Sequence, residues 1–341
     1  MKRVLLLVSA VLVVIAAAAA VWLVMGSERP YKGYEGREQF VEIPPGAGPA
    51  AIGRRLKDAG IVRDEVSFRV ALWRSGQARR LQAGEYRFDR PMNAREVIDK
   101  IVRGDVFMRP ITFPEGLTLR QMSQIYERDG LGRAVDFVRA AQNAALIREL
   151  DAAAPDLEGY LFPNTYSLPR KSTADELVGR MVTAFRDALT PEIVQQAAGR
   201  GLSVRQLVTL ASLVEKETAR AEERPIVAAV YSNRLRIGMG MQCDPTVIYA
   251  LERAGRYSGN LTREDLRFDS PYNTYRYAGL PPGPIASPGR ASLEAAANPA
   301  DVPYIYFVSR NDGSHVFSTT LDEHNRNVFE YQIKPSRAEG R

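Results

Sequence analysis

A long apolar run near the start of the chain restricts the fold more than any other feature. Val4 to Met25 contains no charged side chain, and Trp22 lies near its far end. Such a run is long enough to cross roughly 30 Å of hydrocarbon as a helix. It is followed by a polar sequence of ordinary globular composition. We therefore predict an α+β protein with an N-terminal transmembrane helix.

A cleaved signal peptide is the alternative interpretation of this run. Signal peptides usually have an apolar region of ~7–15 residues followed by a small-residue cleavage site. The run here is longer and ends in bulky residues, which favours an uncleaved anchor. Lys2 and Arg3 precede it, whereas Arg29, Lys32 and Arg37 follow it, so the flanking charges are nearly balanced. Because the N-terminal tail is very short, we predict that the N-terminus lies inside and the bulk of the chain outside the cytoplasm.

The charge and cysteine content exclude several classes of protein. The formal net charge is +6 and the isoelectric point is about 9.4, which favours anionic partners. The basic residues are interleaved with acidic ones rather than gathered into a block, so we predict no nucleic-acid partner. Cys243 is the single cysteine, so no intramolecular disulfide can form.

The patterning divides the chain into four segments. Residues 1–26 are the predicted anchor and 27–37 a polar tether. Residues 38–105 predict a small α+β subdomain in the order strand, helix, helix, strand, with a further helix after it. Residues 106–341 predict a mixed α/β domain in which a long central helix, Ser203 to about Arg220, is followed by a second helix. This domain ends in a hairpin turning through Asn311-Asp312-Gly313 and a last helix.

Sequence motifs for metal, nucleotide and serine-hydrolase chemistry are missing. The chain has two histidines, His315 and His324, and no HExxH, P-loop, dinucleotide-binding glycine pattern or GxSxG elbow. We therefore predict that the protein uses no metal and no cofactor. Catalysis by carboxylate side chains is the chemistry that remains possible.

Two glutamates edge the apolar face of the predicted central helix. At ~100° per residue, Glu217 projects between Leu210 and Leu213, and Glu215 between Val204 and Val208. A carboxylate in an apolar wall has its pKa raised, which suits it to proton donation near neutral pH. Acids at the rim of an amphipathic helix more often simply mark the solvent boundary. The pattern alone does not choose between Glu215 and Glu217.

A second group of polar and aromatic residues follows in two loops. Gln242 and Asp244 lie in the first, and Tyr272, Asn273 and Tyr275 in the second. Tyrosine faces stack on sugar rings, while amide and carboxylate groups hydrogen-bond hydroxyls and N-acetyl groups. These loops therefore fit a carbohydrate cleft. A packed connector without a binding role is the alternative.

At these residues the sequence resembles the endolytic murein transglycosylase family, also called the YceG-like family. The resemblance covers nearly everything after the apolar run. The matching segments are EGYLFPNTY (158–166), LASLVEKET (210–218), NRLRIGM (233–239), QCDPTVIY (242–249), YNTY (272–275) and GLPPGPIASPG (279–289). Threonine is common in the family at the position of Cys243.

The resemblance implies that residues 38–105 form a LysM-like subdomain and that Glu217 is the catalytic acid, with Glu215 as a supporting acid. It implies lytic cleavage of the bond between N-acetylmuramic acid and N-acetylglucosamine in peptidoglycan strands. The cut would leave 1,6-anhydro ends and terminate strand elongation. The enzyme would lie in the bacterial inner membrane, with its bulk periplasmic, beside peptidoglycan synthases such as penicillin-binding proteins. A muramidase with Asp244 as second carboxylate and a non-catalytic glycan-binding scaffold remain alternatives.

Overall fold

The protein is described by a computed structural model that covers residues 10–15, 18, 21, 25–26 and 28–334. The chain divides into two units. The first comprises residues up to Arg109 together with Pro169–Lys171, and the second comprises Pro110–Leu168 and the residues from Ser172 onward. The predicted α+β class is confirmed, because helices and short two-stranded sheets make up both units.

The first unit is a two-stranded sheet packed with three helices. Its elements are β1 (Gln39–Ile43), α1 (Pro49–Asp58), α2 (Glu65–Ser75), β2 (Gly84–Phe88) and α3 (Ala94–Val102). The strands pair antiparallel with Val41 opposite Tyr86. Phe68, Tyr86 and Ile98 are almost fully buried in its core. The predicted order of strand, helix, helix and strand, with a further helix after it, is confirmed.

The segment 27–37, predicted as a tether, is hydrogen-bonded to this unit in part. Tyr31 and Met92 form an isolated antiparallel bridge, and Gly33 N donates to Gly60 O at 2.8 Å. Most of the apolar run predicted as an anchor lies outside the described residues. Among the residues that are described, no helix combines the length and apolar character needed to cross a bilayer.

The second unit is mainly helical, with two small sheets. Strands β3 and β4 form one pair, and β5 and β6 form an antiparallel hairpin. The elements are β3 (Met108–Thr112), α4 (Leu119–Arg128), α5 (Ala134–Ala141), β4 (Thr165–Pro169), α6 (Ala174–Ala188), α7 (Pro191–Gly199), α8 (Val204–Glu217), α9 (Arg224–Arg236), α10 (Asp244–Arg253), α11 (Arg290–Ala297), β5 (Tyr306–Ser309), β6 (His315–Ser318) and α12 (Leu321–Val328).

Helix α8 is the centre of the second unit, as predicted. It packs against α7, α9, α10 and α11. Its middle turns are almost wholly buried, including Leu207, Leu210 and Leu213. A capping box begins it, since Ser203 Oγ accepts from Gln206 N and the Gln206 side chain accepts from Ser203 N. The helix is therefore fixed at its start and along its length, which fixes the position of its last residue.

Several elements of the second unit were not predicted. Helix α5 ends at Ala141, and a separate 3₁₀ turn follows it at Ala144–Ile147. Helices α6 and α7 and strand β4 were not predicted. Gly289 is the N-cap residue of α11, and Ser287 N donates to Leu117 O at 2.8 Å before the helix begins.

Candidate active site

The end of α8 places Glu217 at the wall of a cleft. The helix was expected to continue to about Arg220, but Thr218 takes an extended conformation (φ −138°, ψ 133°). Its hydroxyl donates to Glu223 Oε2 at 3.1 Å and accepts from Arg220 N at 3.1 Å. Because these bonds turn the chain away from the helix axis, Glu217 is the last helical residue.

A polar cleft of about 350 Å³ opens beside Glu217. Its walls come from α8, α9, the start of α10 and the loop before it, the loop that carries Tyr275, the hairpin β5–β6, and α12 with the turn that follows it. The lining residues are Glu217, Arg234, Met241, Gln242, Asp244, Tyr275, Phe307, Val308, Ser309, His315, His324, Val328 and Gln332. The structure therefore brings together Glu217, Gln242, Asp244 and Tyr275, four of the residues that the sequence singled out.

The environment of Glu217 favours its protonated form. Burial of the carboxyl group, with the nearby charge of Asp244 adding to it, raises its pKa from 4.5 to about 7. Cys243 Sγ donates a weak hydrogen bond to Glu217 Oε2 at 3.7 Å, which opposes the rise. The Tyr231 hydroxyl is buried beside these two groups, and its interaction with Glu217 also opposes the rise. Glu217 can therefore give and regain a proton near neutral pH.

Asp244 and Tyr275 form a bonded pair at the cleft. Tyr275 Oη donates to Asp244 Oδ1 at 2.6 Å. Burial, with this bond adding to it, raises the pKa of Tyr275 well above its ordinary value, so the phenol stays neutral. Asp244 is the first residue of α10, where the helix dipole favours a negative charge. The pair therefore places a fixed negative charge close to Glu217.

The loop before α10 is held in an unusual conformation. Gln242 has a left-handed backbone (φ +51°), which is uncommon for a residue other than glycine. Its N–H donates to Thr274 O at 3.3 Å, and Cys243 N donates to Thr274 Oγ1 at 3.0 Å. Strained backbone held by surrounding bonds is frequent at functional sites. The conformation leaves Gln242 exposed at the cleft and Cys243 buried against Glu217.

Two of the predicted substrate-binding residues, Tyr272 and Asn273, do not line the cleft. Asn273 is fully buried, and its amide donates to Leu266 O and Phe268 O while its oxygen accepts from Tyr275 N. Tyr272 is not among the residues that line the cleft. Its ring packs on Tyr249 with centroids 5.0 Å apart. Asn273 thus shapes the loop that carries Tyr275.

Glu215, the predicted supporting acid, also points away from the cleft. Its carboxylate accepts from Gly289 N at 2.9 Å and Ser292 Oγ at 2.7 Å, and Arg224 lies 3.6 Å away. The side chain is 6% exposed. These contacts join α8 to α11 and α9, which is a structural role.

Sequence reasoning missed several residues of the cleft. Arg234 on α9 is buried, and its guanidinium donates to Ile305 O at 2.6 Å, Met241 O at 2.7 Å and Gly240 O at 3.2 Å. It therefore clamps the loop before α10 to the segment that enters β5. Tyr231 lies one turn earlier on the same helix. A spacing of three along α9 is the signal that could have grouped these two residues.

The two histidines were noted for their scarcity but not assigned to the cleft. His315 N donates to Glu223 Oε1 at 2.9 Å, and its Nδ1 lies 2.7 Å from Glu223 Oε2. Burial favours a higher pKa for Glu223, but the bonds from His315 and Thr218 outweigh it and lower the pKa. Burial, with the charge of Arg234 adding to it, lowers the pKa of His324. Within the described part of the chain, no group of His, Cys, Asp and Glu side chains is arranged to hold a metal ion.

Comparison with known proteins assigns the chain to a family. The family model described as "YceG-like family" matches residues 41–330. The chain belongs to the YceG-like family. A crystal structure of a YceG-like protein from Listeria monocytogenes aligns with a TM-score of 0.58 and 31% identity, covering 85% of this chain and 98% of that one.

Curated relatives carry a name that describes an activity. "Endolytic murein transglycosylase" of Bacillus subtilis is 32% identical over 306 residues, covering 85% of this chain and 84% of the relative. The protein of the same name from Streptococcus pneumoniae (strain D39) is 30% identical over 321 residues, covering 85% of this chain. This chain spans 58% of the length of the pneumococcal protein.

Proposed function

We propose that this member of the YceG-like family is an endolytic murein transglycosylase and that Glu217 is its acid and base. The observation that carries the proposal is the carboxyl group at the end of α8, which faces a polar cleft and has a pKa raised to about 7. The relatives named for this activity align along most of the chain. A carboxylic acid that is half protonated near neutral pH suits both halves of the reaction.

The reaction needs one carboxyl group because the nucleophile belongs to the substrate. Protonated Glu217 donates its proton to the oxygen that joins N-acetylmuramic acid to N-acetylglucosamine, and the bond from that oxygen to muramic C1 breaks. The C6 hydroxyl of the same muramic residue attacks C1, and Glu217 accepts its proton. The products are a 1,6-anhydro end and a free N-acetylglucosamine end, with no water consumed. Since the nucleophile is already positioned, the second carboxylate of ordinary glycosidases is not needed.

The other cleft residues support this step by position and charge. Asp244 keeps the pKa of Glu217 high and stabilises the positive charge that develops at the muramic ring. Tyr275 fixes the Asp244 carboxylate and presents its ring, which is 38% exposed, to a sugar face. The exposed Gln242 offers an amide for hydroxyl and N-acetyl groups.

Location and partners form a second part of the proposal. The uncharged run Val4–Met25 supports a single membrane-spanning anchor with the bulk of the chain outside the bacterial cytoplasm. The order of strands and helices in the first unit supports a LysM-like subdomain. An anchored enzyme that cuts new strands would act beside peptidoglycan synthases, with penicillin-binding proteins as the proposed partners.

Mass spectrometry of digested glycan strands tests the chemistry. The full-length protein in detergent is incubated with purified strands, with Glu217→Gln in parallel. Glu158→Gln is a matched control, because Glu158 is also buried, with a pKa raised to about 8, but lies outside the cleft lining. We expect anhydro-ended fragments from the wild type and Glu158→Gln, and none from Glu217→Gln.

Other products would identify another function. Fragments that have gained a water molecule would show a muramidase, with Asp244 as the second carboxylate. Strands that bind to the protein but remain uncut would show a non-catalytic scaffold. Full cleavage by Glu217→Gln would contradict the assignment of the acid.

A further inference from the structure

Helix α2 of the first unit exposes apolar side chains on its solvent side. Trp73 is 82% exposed and Val66 is 53% exposed. At ~100° per residue these two project in nearly the same direction as Val70, opposite the buried Phe68 and Leu72. One isolated exposed apolar residue needs no explanation, but a row of them beside a tryptophan marks an interaction surface.

The same face of α2 and the turn after it carry an excess of positive charge. Arg69 and Arg74 flank the apolar row, and Arg79 and Arg80 follow in the turn after the helix. In the described part of the chain Arg69, Arg79 and Arg80 make no ion pair, and the acid of the helix, Glu65, projects to another side. Arginines around an exposed tryptophan are typical of proteins that lie on anionic lipid headgroups.

Helix α2 lies next to the point where the apolar run ends. A β-carbon built on Gly26 would be 3.9 Å from Ser67 Oγ of α2. Glu28 Oε1 lies 3.5 Å from Arg74 Nη1. From Met25 to Tyr31, which is bonded to Met92, the extended chain can span no more than about 20 Å. A membrane anchor at Val4–Met25 would therefore hold α2 close to the bilayer surface.

We propose that the exposed face of α2, made of Val66, Arg69, Val70, Trp73 and Arg74, lies together with Arg79 and Arg80 of the following turn on the surface of an anionic phospholipid bilayer. The valines and Trp73 enter the headgroup boundary, and the arginines bind the lipid phosphates. Because the anchor keeps the effective concentration of this face high, a weak individual affinity is sufficient. The inference rests on the proposed anchor and is independent of the proposed chemistry.

Fluorescence of Trp73 in reconstituted protein tests the inference. The chain has two tryptophans, so Trp22→Phe leaves Trp73 as the single emitter. The full-length variant is reconstituted into vesicles of phosphatidylcholine, with or without phosphatidylglycerol, using lipids brominated near the headgroup end of the acyl chain. We expect Trp73 emission to be blue-shifted and to lose most of its intensity to the brominated lipid when phosphatidylglycerol is present. High salt should reverse both changes.

A charge-matched pair of variants separates this surface from net charge. In the Trp22→Phe background, Arg69→Glu with Arg79→Glu should abolish the shift and the quenching. Arg95→Glu with Arg103→Glu changes the net charge equally, at exposed positions of α3 and its end, and should retain both.

Four results would overturn the inference. Trp73 emission could stay unquenched in anionic vesicles, or both variants could behave alike. Glycan strands added in detergent could shift the emission when lipid does not, which would make the face a sugar-binding surface. Failure of the wild type to float with vesicles would remove the anchor and this inference together, while leaving the cleavage assay unaffected.

Discussion

The two glutamates in the last turn of α8, Glu215 and Glu217, lie on different sides of the helix and have different surroundings. On one side, Glu215 accepts hydrogen bonds from Gly289 N and Ser292 Oγ and lies 3.6 Å from Arg224. On the other, Glu217 accepts a long, weak bond from Cys243 Sγ at 3.7 Å and faces a cleft. A carboxylate with strong donors serves to join helices, whereas one without them keeps its proton and remains available to a ligand.

Glu158 shows that a raised pKa is not sufficient to identify the acid. Burial raises its pKa to about 8, but its oxygens accept from Leu119 N at 3.0 Å and Tyr249 Oη at 3.1 Å, and it does not line the cleft. Access from the cleft, together with the shortage of donors, distinguishes Glu217.

Glu217→Gln should lower the rate of strand cleavage by roughly 10²–10⁴-fold, because the amide can neither give nor take the proton. Glu215→Gln and Glu158→Gln should retain cleavage in the folded fraction. Initial rates of strand cleavage, normalised to folded protein by circular dichroism, measure the difference. Equal losses in Glu215→Gln and Glu217→Gln would remove the functional distinction between the two sides.

Glu215→Gln should instead destabilise the protein by about 3 kcal/mol, because it leaves Arg224 without its buried partner. Urea denaturation followed by circular dichroism measures the change. Glu294→Gln is a suitable control, since Glu294 pairs with Arg290 on the exposed side of α11 and should lose less than about 1 kcal/mol. A similar small loss for Glu215→Gln would contradict its structural role.

Glu217 should make the protein less stable as the pH rises. Its pKa is about 7 in the folded state against an ordinary 4.5, so the folded state binds the proton more tightly. This stabilising contribution is fully present below about pH 4.5 and is lost as the pH rises through 7. The Glu217→Gln variant lacks this titration. Its free energy of unfolding, relative to that of the wild type, should therefore increase by up to about 3 kcal/mol between about pH 4.5 and pH 7. Urea denaturation at several pH values measures this change. If the carboxyl group of Glu217 were ionised throughout, the difference in stability between the variant and the wild type would not change with pH.

Asp244→Asn should move the alkaline limb of the kcat/KM profile to lower pH. The charge of Asp244 is, after burial, the next cause of the raised pKa of Glu217, so its removal lets Glu217 lose its proton earlier. Asp269→Asn is the matched control, because Asp269 accepts a comparable bond from Tyr277 Oη at 2.8 Å outside the cleft lining. A limb that stays in place, or moves upward, would show that Asp244 does not act on Glu217.

Cys243→Ala should have the smallest effect, a slight movement of the same limb to higher pH. The thiol donates a weak bond to Glu217, and that bond opposes the rise in the pKa of Glu217. Cys243→Ser retains a donor and should stay near the wild type. A downward movement in Cys243→Ala would mean that the thiol does not stabilise the charged form.

The central helix and the position of Glu217 on it could be predicted because both depend on local periodicity. The apolar spacing from Val204 to Val214 required a buried helix, and the same spacing placed Glu217 at the edge of its apolar face. Which of the two glutamates faces the cleft was beyond that reasoning. The donors that engage Glu215 come from Gly289 and Ser292, more than seventy residues later in the chain.

The rest of the cleft depends on contacts that periodicity does not encode. Arg234 would ordinarily be assigned to the solvated side of α9, but it is buried because three distant carbonyl oxygens accept from it. Tyr272 and Asn273 matched a sugar-binding composition, yet one packs on Tyr249 and the other bonds backbone of its own loop. Composition pointed to two loops that reach the cleft through Gln242, Asp244 and Tyr275, but it could not assign the role of each residue.

The clamp formed by Arg234 has a consequence for when the enzyme becomes active during its synthesis. Glu217 and Arg234 leave the ribosome well before Ile305, whose carbonyl completes the clamp, and before His315, which closes the cleft wall. Synthesis proceeds from the N-terminus, so the nascent chain carries Glu217 without a formed cleft until the C-terminal hairpin has emerged. An enzyme that cuts the cell wall thus acquires that capacity only when its last strands are in place.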